Sequence, residues 1–214
     1  MKEEITKITE SDGPTAVYIA SDKRKNSLKH KIYNYINQIH KAHIRKHIKA
    51  NEHNLDQVSE YIVDVLGYRE IGRDDTIYKQ DYKEIRSSFI MQYKPELLGE
   101  YAEIPILKDH TEEALKEHWE QFKQREKAAE EVPAEKFDID LHTFVKENGN
   151  NESRFVIEKH YDYIGGGASG NKHSVRKFNR DFRRVYRYYG VSQYDIDNKS
   201  ERFEEVVRTL AIHN

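Results

Sequence analysis

Residues 136 to 163 read KFDIDLHTFVKENGNNESRFVIEKHYDY, two segments of alternating apolar residues about a turn of Asn, Gly and Asn. Alternation with period two marks strands, and a Gly-containing turn between two such runs marks a hairpin. This is the clearest β signal in a chain whose other periodic segments are helical. It therefore fixes the class as a helix-rich α+β fold. The hairpin also carries acids: Asp138 and Asp140 in its first arm, and Glu158 followed by Lys159 and His160 at the end of its second.

The chain has 214 residues, 36% hydrophobic and 35% charged, with a mean hydropathy of -0.97. That polarity favours two thin domains over one thick one. Its 15 Tyr and 8 Phe exclude a simple disordered composition. It has no Cys, which excludes disulfides, thiolate zinc sites and cysteine nucleophiles. The opening MKEEITKITESDG lacks the apolar region of a secretory leader. No apolar run reaches the roughly 18 residues of a membrane span. The expectation is a soluble, cytoplasmic protein with no membrane partner.

Helical spacing organises the rest. PTAVYIAS, residues 14 to 21, reads as a short strand. A basic helix follows, capped by Ser27, with Leu28, Ile32, Tyr35, Ile36 and Ile39 on one face. Ile44 and Ile48 drift off that face. Leu55, Val58, Ile62 and Leu66 mark a second helix, closed by Gly67. REIGRDD reads as a polar turn. A third helix, capped by Asp75 or Thr76, runs to Pro95. EIPIL is a short extended piece. A long charged helix follows, with Asp109 and Glu112 as a capping box and Leu115, Trp119 and Phe122 as its stripe; its far end reads as solvent-exposed. After the hairpin come a glycine loop, GGGASGN, and a basic helix with Val175, Phe178, Phe182, Val185 and Tyr189 inside. A short strand, SQYDID, precedes a last helix capped by Ser200. The expected division is a mainly helical domain over residues 1–105, a charged connecting helix over 106–134 and a small α/β domain over 135–214.

Charge is unevenly spread. Residues 23–49 hold nine Lys or Arg and no acid, and residues 96–135 hold twelve acids against five bases. Residues 172–189 hold seven bases against one acid. Basic blocks on helices are the footprint expected of a polyanion partner. The second and third helices have the outline of a helix-turn-helix, which would aim Lys79, Lys83 and Arg86 at a groove or at phosphates. In the C-terminal helix, Lys172, Arg176, Lys177, Arg180 and Arg184 would line a nucleic-acid backbone. His40, His43 and His47 share one helix face, although one helix supplies an incomplete zinc ligand set.

The hairpin acids offer a second chemistry. Two carboxylates from neighbouring strands are what Mg²⁺ needs, because the ion takes oxygen ligands and retains waters. A metal there would activate water against a phosphodiester. The order of Asp140, then FVIEKHY with Glu158, then VRKFNRDFRRV resembles the PD-(D/E)xK restriction-endonuclease-like superfamily, in its Holliday-junction-resolvase and methyl-directed branch. The resemblance covers residues 110 to 212. It implies metal binding by Asp140 and Glu158, with His160 or Lys159 assisting the water. The family places Lys two residues after the Glu; here that position is His160, and Lys159 stands one place early. The expectation is a nucleic-acid-binding protein, with DNA the expected partner, acting as a Mg²⁺-dependent endonuclease. The alternatives are a non-catalytic DNA-binding or regulatory protein and a protein-interaction component; a homodimer is compatible with each.

Overall fold

The computed structural model describes residues 28–107 and 111–212. The strand expected over residues 14–21, the Ser27 cap, the Leu28 side chain and Asp109 of the capping box lie outside the described residues. The elements run α1 (Leu28–His47), α2 (Leu55–Asp64), β1 (Arg69–Ile71), α3 (Thr76–Tyr93), 3-10 turns over Pro95–Tyr101 and α4 (Glu112–Glu131). They continue with β2 (Leu141–Asn148), β3 (Asn151–Glu158), β4 (Tyr163–Ser169), α5 (Lys172–Tyr189), α6 (Gln193–Asn198) and α7 (Glu201–Leu210). The fold is helix-rich α+β, as the hairpin required. Among the described residues no helix is long and apolar enough to cross a membrane.

Backbone contacts divide the chain into two compact units, residues 79–139 and residues 28–78 with 140–212. These limits do not coincide with the expected ones near residues 105 and 135. The reason is that the hairpin sheet draws its first edge strand from residues 69–71.

The larger unit is built on an antiparallel sheet of order β1-β2-β3-β4. The β2–β3 hairpin pairs Leu141 with Glu158 and Asn148 with Asn151, closing on Gly149 at positive φ. Directly paired residues share a sheet face. Phe144, Phe155, Ile157 and Ile164 fall on one face and join a single buried cluster with Leu55, Val58 and Ile62 of α2. Phe178, Val185 and Tyr189 of α5 and Phe203, Val206 and Val207 of α7 complete it. Leu141, Thr143, Val156 and Glu158 fall on the opposite face and are also buried.

Four local expectations are corrected. REIGRDD is not only a turn: Arg69–Ile71 pairs with Thr143–Val145 as an edge strand. The connection between α2 and α3 thus contains a strand, which is not the tight turn of a helix-turn-helix. The glycine stretch is not a loop but β4. A Cβ on Gly166 would meet the Arg154 carbonyl oxygen and lie 3.0 Å from the Phe178 ring, so glycine lets α5 press onto the sheet. SQYDID is not a strand but α6, fixed by a capping box: the Ser192 N–H donates to Asp195 at 2.9 Å, and the Asp195 N–H donates to Ser192 Oγ at 3.1 Å. Finally, α1 packs on the other side from the one its spacing predicts. Ile44 and Ile48 meet the core cluster, while Arg45 pairs with Glu204 of α7 through two hydrogen bonds.

In the unit of residues 79–139 two arginines do structural work. Arg86 of α3 is buried and donates to the carbonyls of Phe137, Val132 and Pro133 at 2.8 to 3.0 Å. These carbonyls lie just beyond the C-terminus of α4, and that of Pro133 also accepts the Lys136 N–H at 3.1 Å. Arg125 of α4 donates to the carbonyls of Met91, Tyr101 and Ala102, and burial lowers its pKa. Arg125 and Ala129 are buried, so α4 is anchored at the end expected to be exposed, and its expected stripe is half-exposed at Leu115 and Trp119. The N-cap is Thr111, whose hydroxyl accepts from Ala114.

Candidate nucleic-acid interface

α5 starts at Asn171, whose side chain accepts the Ser174 N–H at 3.0 Å. Its inner face is apolar and aromatic. Phe178 and Phe182 pack on Phe155 at centroid separations of 5.1 and 5.8 Å. The Tyr186 hydroxyl sits 2.6 Å from the Glu205 carboxylate and 3.0 Å from the Ile164 carbonyl. Burial, then the Glu205 charge, pushes Tyr186 well above its ordinary pKa; burial raises Glu205 in turn. The helix ends at Gly190, at φ 59°, where a Cβ would run into the Asn51 carbonyl oxygen. Beside this end Arg202 stacks 3.6 Å from the Tyr189 ring and donates to the carbonyls of Tyr189, Gly190 and His53. At its start the Asn171 N–H donates to the Asn151 side chain of β3 at 3.0 Å, so both ends of α5 are tied to other elements, and its outer face is turned to solvent.

That outer face is basic. His173, Arg176, Lys177, Arg180, Arg184 and Arg187 are exposed and recur at the spacing of one helix face. At about 1.5 Å per residue the stripe is about 21 Å long. Arg184 lies 3.5 Å from Asp181, a buried acid. Among the described residues, Lys172, Arg176, Lys177, Arg180 and Arg187 have no ion-pair partner. The crowding is felt at Arg183, whose pKa is lowered by burial and by the charges of Arg187 and Arg180. Among the described residues, His173, Arg176, Lys177 and Arg180 line a concavity of about 370 Å³. His173 and Arg187 join the expected Lys172, Arg176, Lys177, Arg180 and Arg184 on the exposed side of α5. Their seven-residue spacing from Arg180 was the available signal.

The expected N-terminal contacts are dispersed. Lys79 is exposed on α3, and Lys83 pairs with Glu130 at 3.0 Å. Arg86 is a correction: its guanidinium is buried on backbone carbonyls, not presented to a groove. His43 and His47 are exposed, with rings 4.2 Å apart and His47 Nδ1 2.8 Å from the His43 carbonyl oxygen.

The hairpin acids do not converge. The register puts Asp140 opposite Lys159, with the Lys159 N–H donating to the Asp140 carbonyl at 3.1 Å. Asp140 and Glu158 thus fall on opposite sheet faces. Asp140 Oδ1 lies 3.5 Å from His142 Nε2, and His142 Nδ1 lies 2.7 Å from Glu70. Lys159 pairs with Asp56 at 2.7 Å, which lowers the Asp56 pKa. Glu158 is fully buried: one oxygen accepts the Asp140 N–H at 2.8 Å and the other the Tyr161 N–H at 2.7 Å. His160 is exposed, 3.7 Å from Glu158. A hydrated Mg²⁺ needs accessible carboxylate oxygens on one side, and this arrangement of Asp140 and Glu158 does not fit it. Among the described residues no group of three or more acids and histidines is arranged to hold a metal ion.

Comparison of the chain with protein-family models, with curated proteins and with solved structures finds no match.

Proposed function

We propose that the protein binds nucleic acid, with DNA the expected partner, by laying the phosphate backbone along the outer face of α5. The observation that carries this reading is the unpaired basic stripe of Arg176, Lys177, Arg180 and Arg187 on a helix tied to β3 at one end and to Arg202 at the other. Cations without protein partners keep their full attraction for phosphates, and a rigid helix holds them at fixed spacing. Asn171 also caps the end of α5 whose dipole favours anions, next to Lys172 and His173.

Of the two nucleic-acid roles expected from the sequence, binding without cleavage is the better supported. Glu158 is already committed to two backbone N–H groups. The test is fluorescence anisotropy of labelled duplex DNA, single-stranded DNA and RNA at low salt. Wild type should bind, and Arg176→Glu with Arg180→Glu should abolish binding while the far-UV spectrum is unchanged. Retained binding by the double variant overturns the proposal. Incubation with Mg²⁺ should leave every substrate intact; cleavage that disappears in Glu158→Gln would restore the nuclease reading.

A further inference from the structure

α1 and the opening of α4 present complementary surfaces. α1 is held at its C-terminal end, where Ile44, Ile48 just past the helix, and the Arg45–Glu204 pair contact the core and α7. Ahead of them Ile32, Tyr35, Ile36 and Ile39 recur at helical spacing with 50%, 68%, 47% and 52% of their surface exposed. Residues 28–47 contain five Lys or Arg, four His and no acid. An isolated helix of this length is marginal in water without burial of an apolar face, and a contiguous exposed apolar stripe marks an interaction surface.

The start of α4 has the opposite charge. Leu115 and Trp119 are 41% and 47% exposed, and Ile104 and Ile106, just before the helix, are 73% and 84% exposed. His118 Nε2 lies 3.1 Å from the Pro105 carbonyl oxygen, which holds this segment beside α4. Glu112, Glu113, Glu117 and Glu120 stand within the same three turns, against Lys116 alone. One surface is therefore apolar with cationic surroundings, the other apolar with anionic surroundings.

We infer that α1 of one copy docks on the exposed Ile104, Ile106, Leu115 and Trp119 of a second copy, so that the chain self-associates head to tail. Charge selects this arrangement over α1 meeting α1, which would bring two wholly cationic helices together. Like charges in such a pairing oppose the contact, whereas the α1–α4 pairing attracts and then buries both apolar stripes.

The test is sedimentation velocity of nucleic-acid-free protein over a concentration series. Wild type should shift to larger species with concentration, and less so as salt is raised. Ile36→Glu and Trp119→Glu, both at exposed positions, should each raise the dissociation constant at least about tenfold, the effect of a charge placed in an apolar contact. Far-UV spectra should match wild type. Mixing the two variants should restore a dimer, because intact α1 of one copy meets intact α4 of the other. Four results would overturn the inference: a monomer at every concentration; association unchanged by either variant; a mixture no larger than its components; or association seen only when nucleic acid is added back, which would make nucleic acid the ligand of α1.

Discussion

Replacing Glu158 separates a structural carboxylate from a catalytic one. Glu158 is fully buried at the end of β3, and its oxygens accept the N–H groups of Asp140 and Tyr161 at 2.8 and 2.7 Å. Glu158→Ala leaves both donors without that partner. A buried donor left unsatisfied costs about 1–3 kcal/mol, and the lost methylene about 0.8 kcal/mol more. Relief of the buried charge offsets part of this. The expected net loss is about 3 kcal/mol. Glu158→Gln keeps one acceptor and turns an amide against the other N–H, so about half that loss is expected. Urea unfolding followed by circular dichroism, at unchanged slope, reads both values. Active-site carboxylates behave differently, since their removal is commonly neutral or stabilising. A loss below about 0.5 kcal/mol in both variants would refute the structural role of Glu158.

Three further outcomes follow from the same geometry. Arg86→Ala should destabilise the unit of residues 79–139 by about 2–4 kcal/mol, because three carbonyls lose a charged donor; hydrogen exchange around α4 should report it. Gly190→Ala should lower the melting temperature strongly, since φ is 59° and the new Cβ meets the Asn51 carbonyl oxygen, while substitution of Gly149, with open space around it, should cost less. Glu205 has a pKa raised by burial, so the folded state binds its proton more tightly than the unfolded chain. Stability from this group is present below its ordinary 4.5 and is lost as pH rises through the raised value. Glu205→Gln should therefore melt higher than wild type at neutral pH, and the gap should close on acidification.

What could be read in advance was what local spacing decides. The inner faces of α2, α5 and α7 and the β2–β3 hairpin are written in residues a few positions apart. What could not be read depends on distant partners. β1 is three residues long and becomes a strand only through Thr143–Val145. Gly166 of β4 accommodates the approach of Phe178 and the Arg154 carbonyl, and no turn signal distinguishes that case. Arg86 and Lys83 lie three residues apart on one helix, yet one is buried on carbonyls and the other exposed. The Asp140–Glu158 pair failed for a nearer reason: the register sets Asp140 against Lys159, which a one-residue change would reverse.

The central claim is that cations on α5 neutralise nucleic-acid phosphates, and the salt dependence of binding tests it most directly. Lys172, Arg176, Lys177, Arg180, Arg184 and Arg187 stand exposed on this helix. If three to six of them meet duplex phosphates, log K falls against log salt with a slope of about -2.7 to -5.4. Arg176→Ala with Arg180→Ala should shorten that slope by about 1.8 while leaving the fold intact. A wild-type slope near zero, or a double variant with an unchanged slope, would contradict the account.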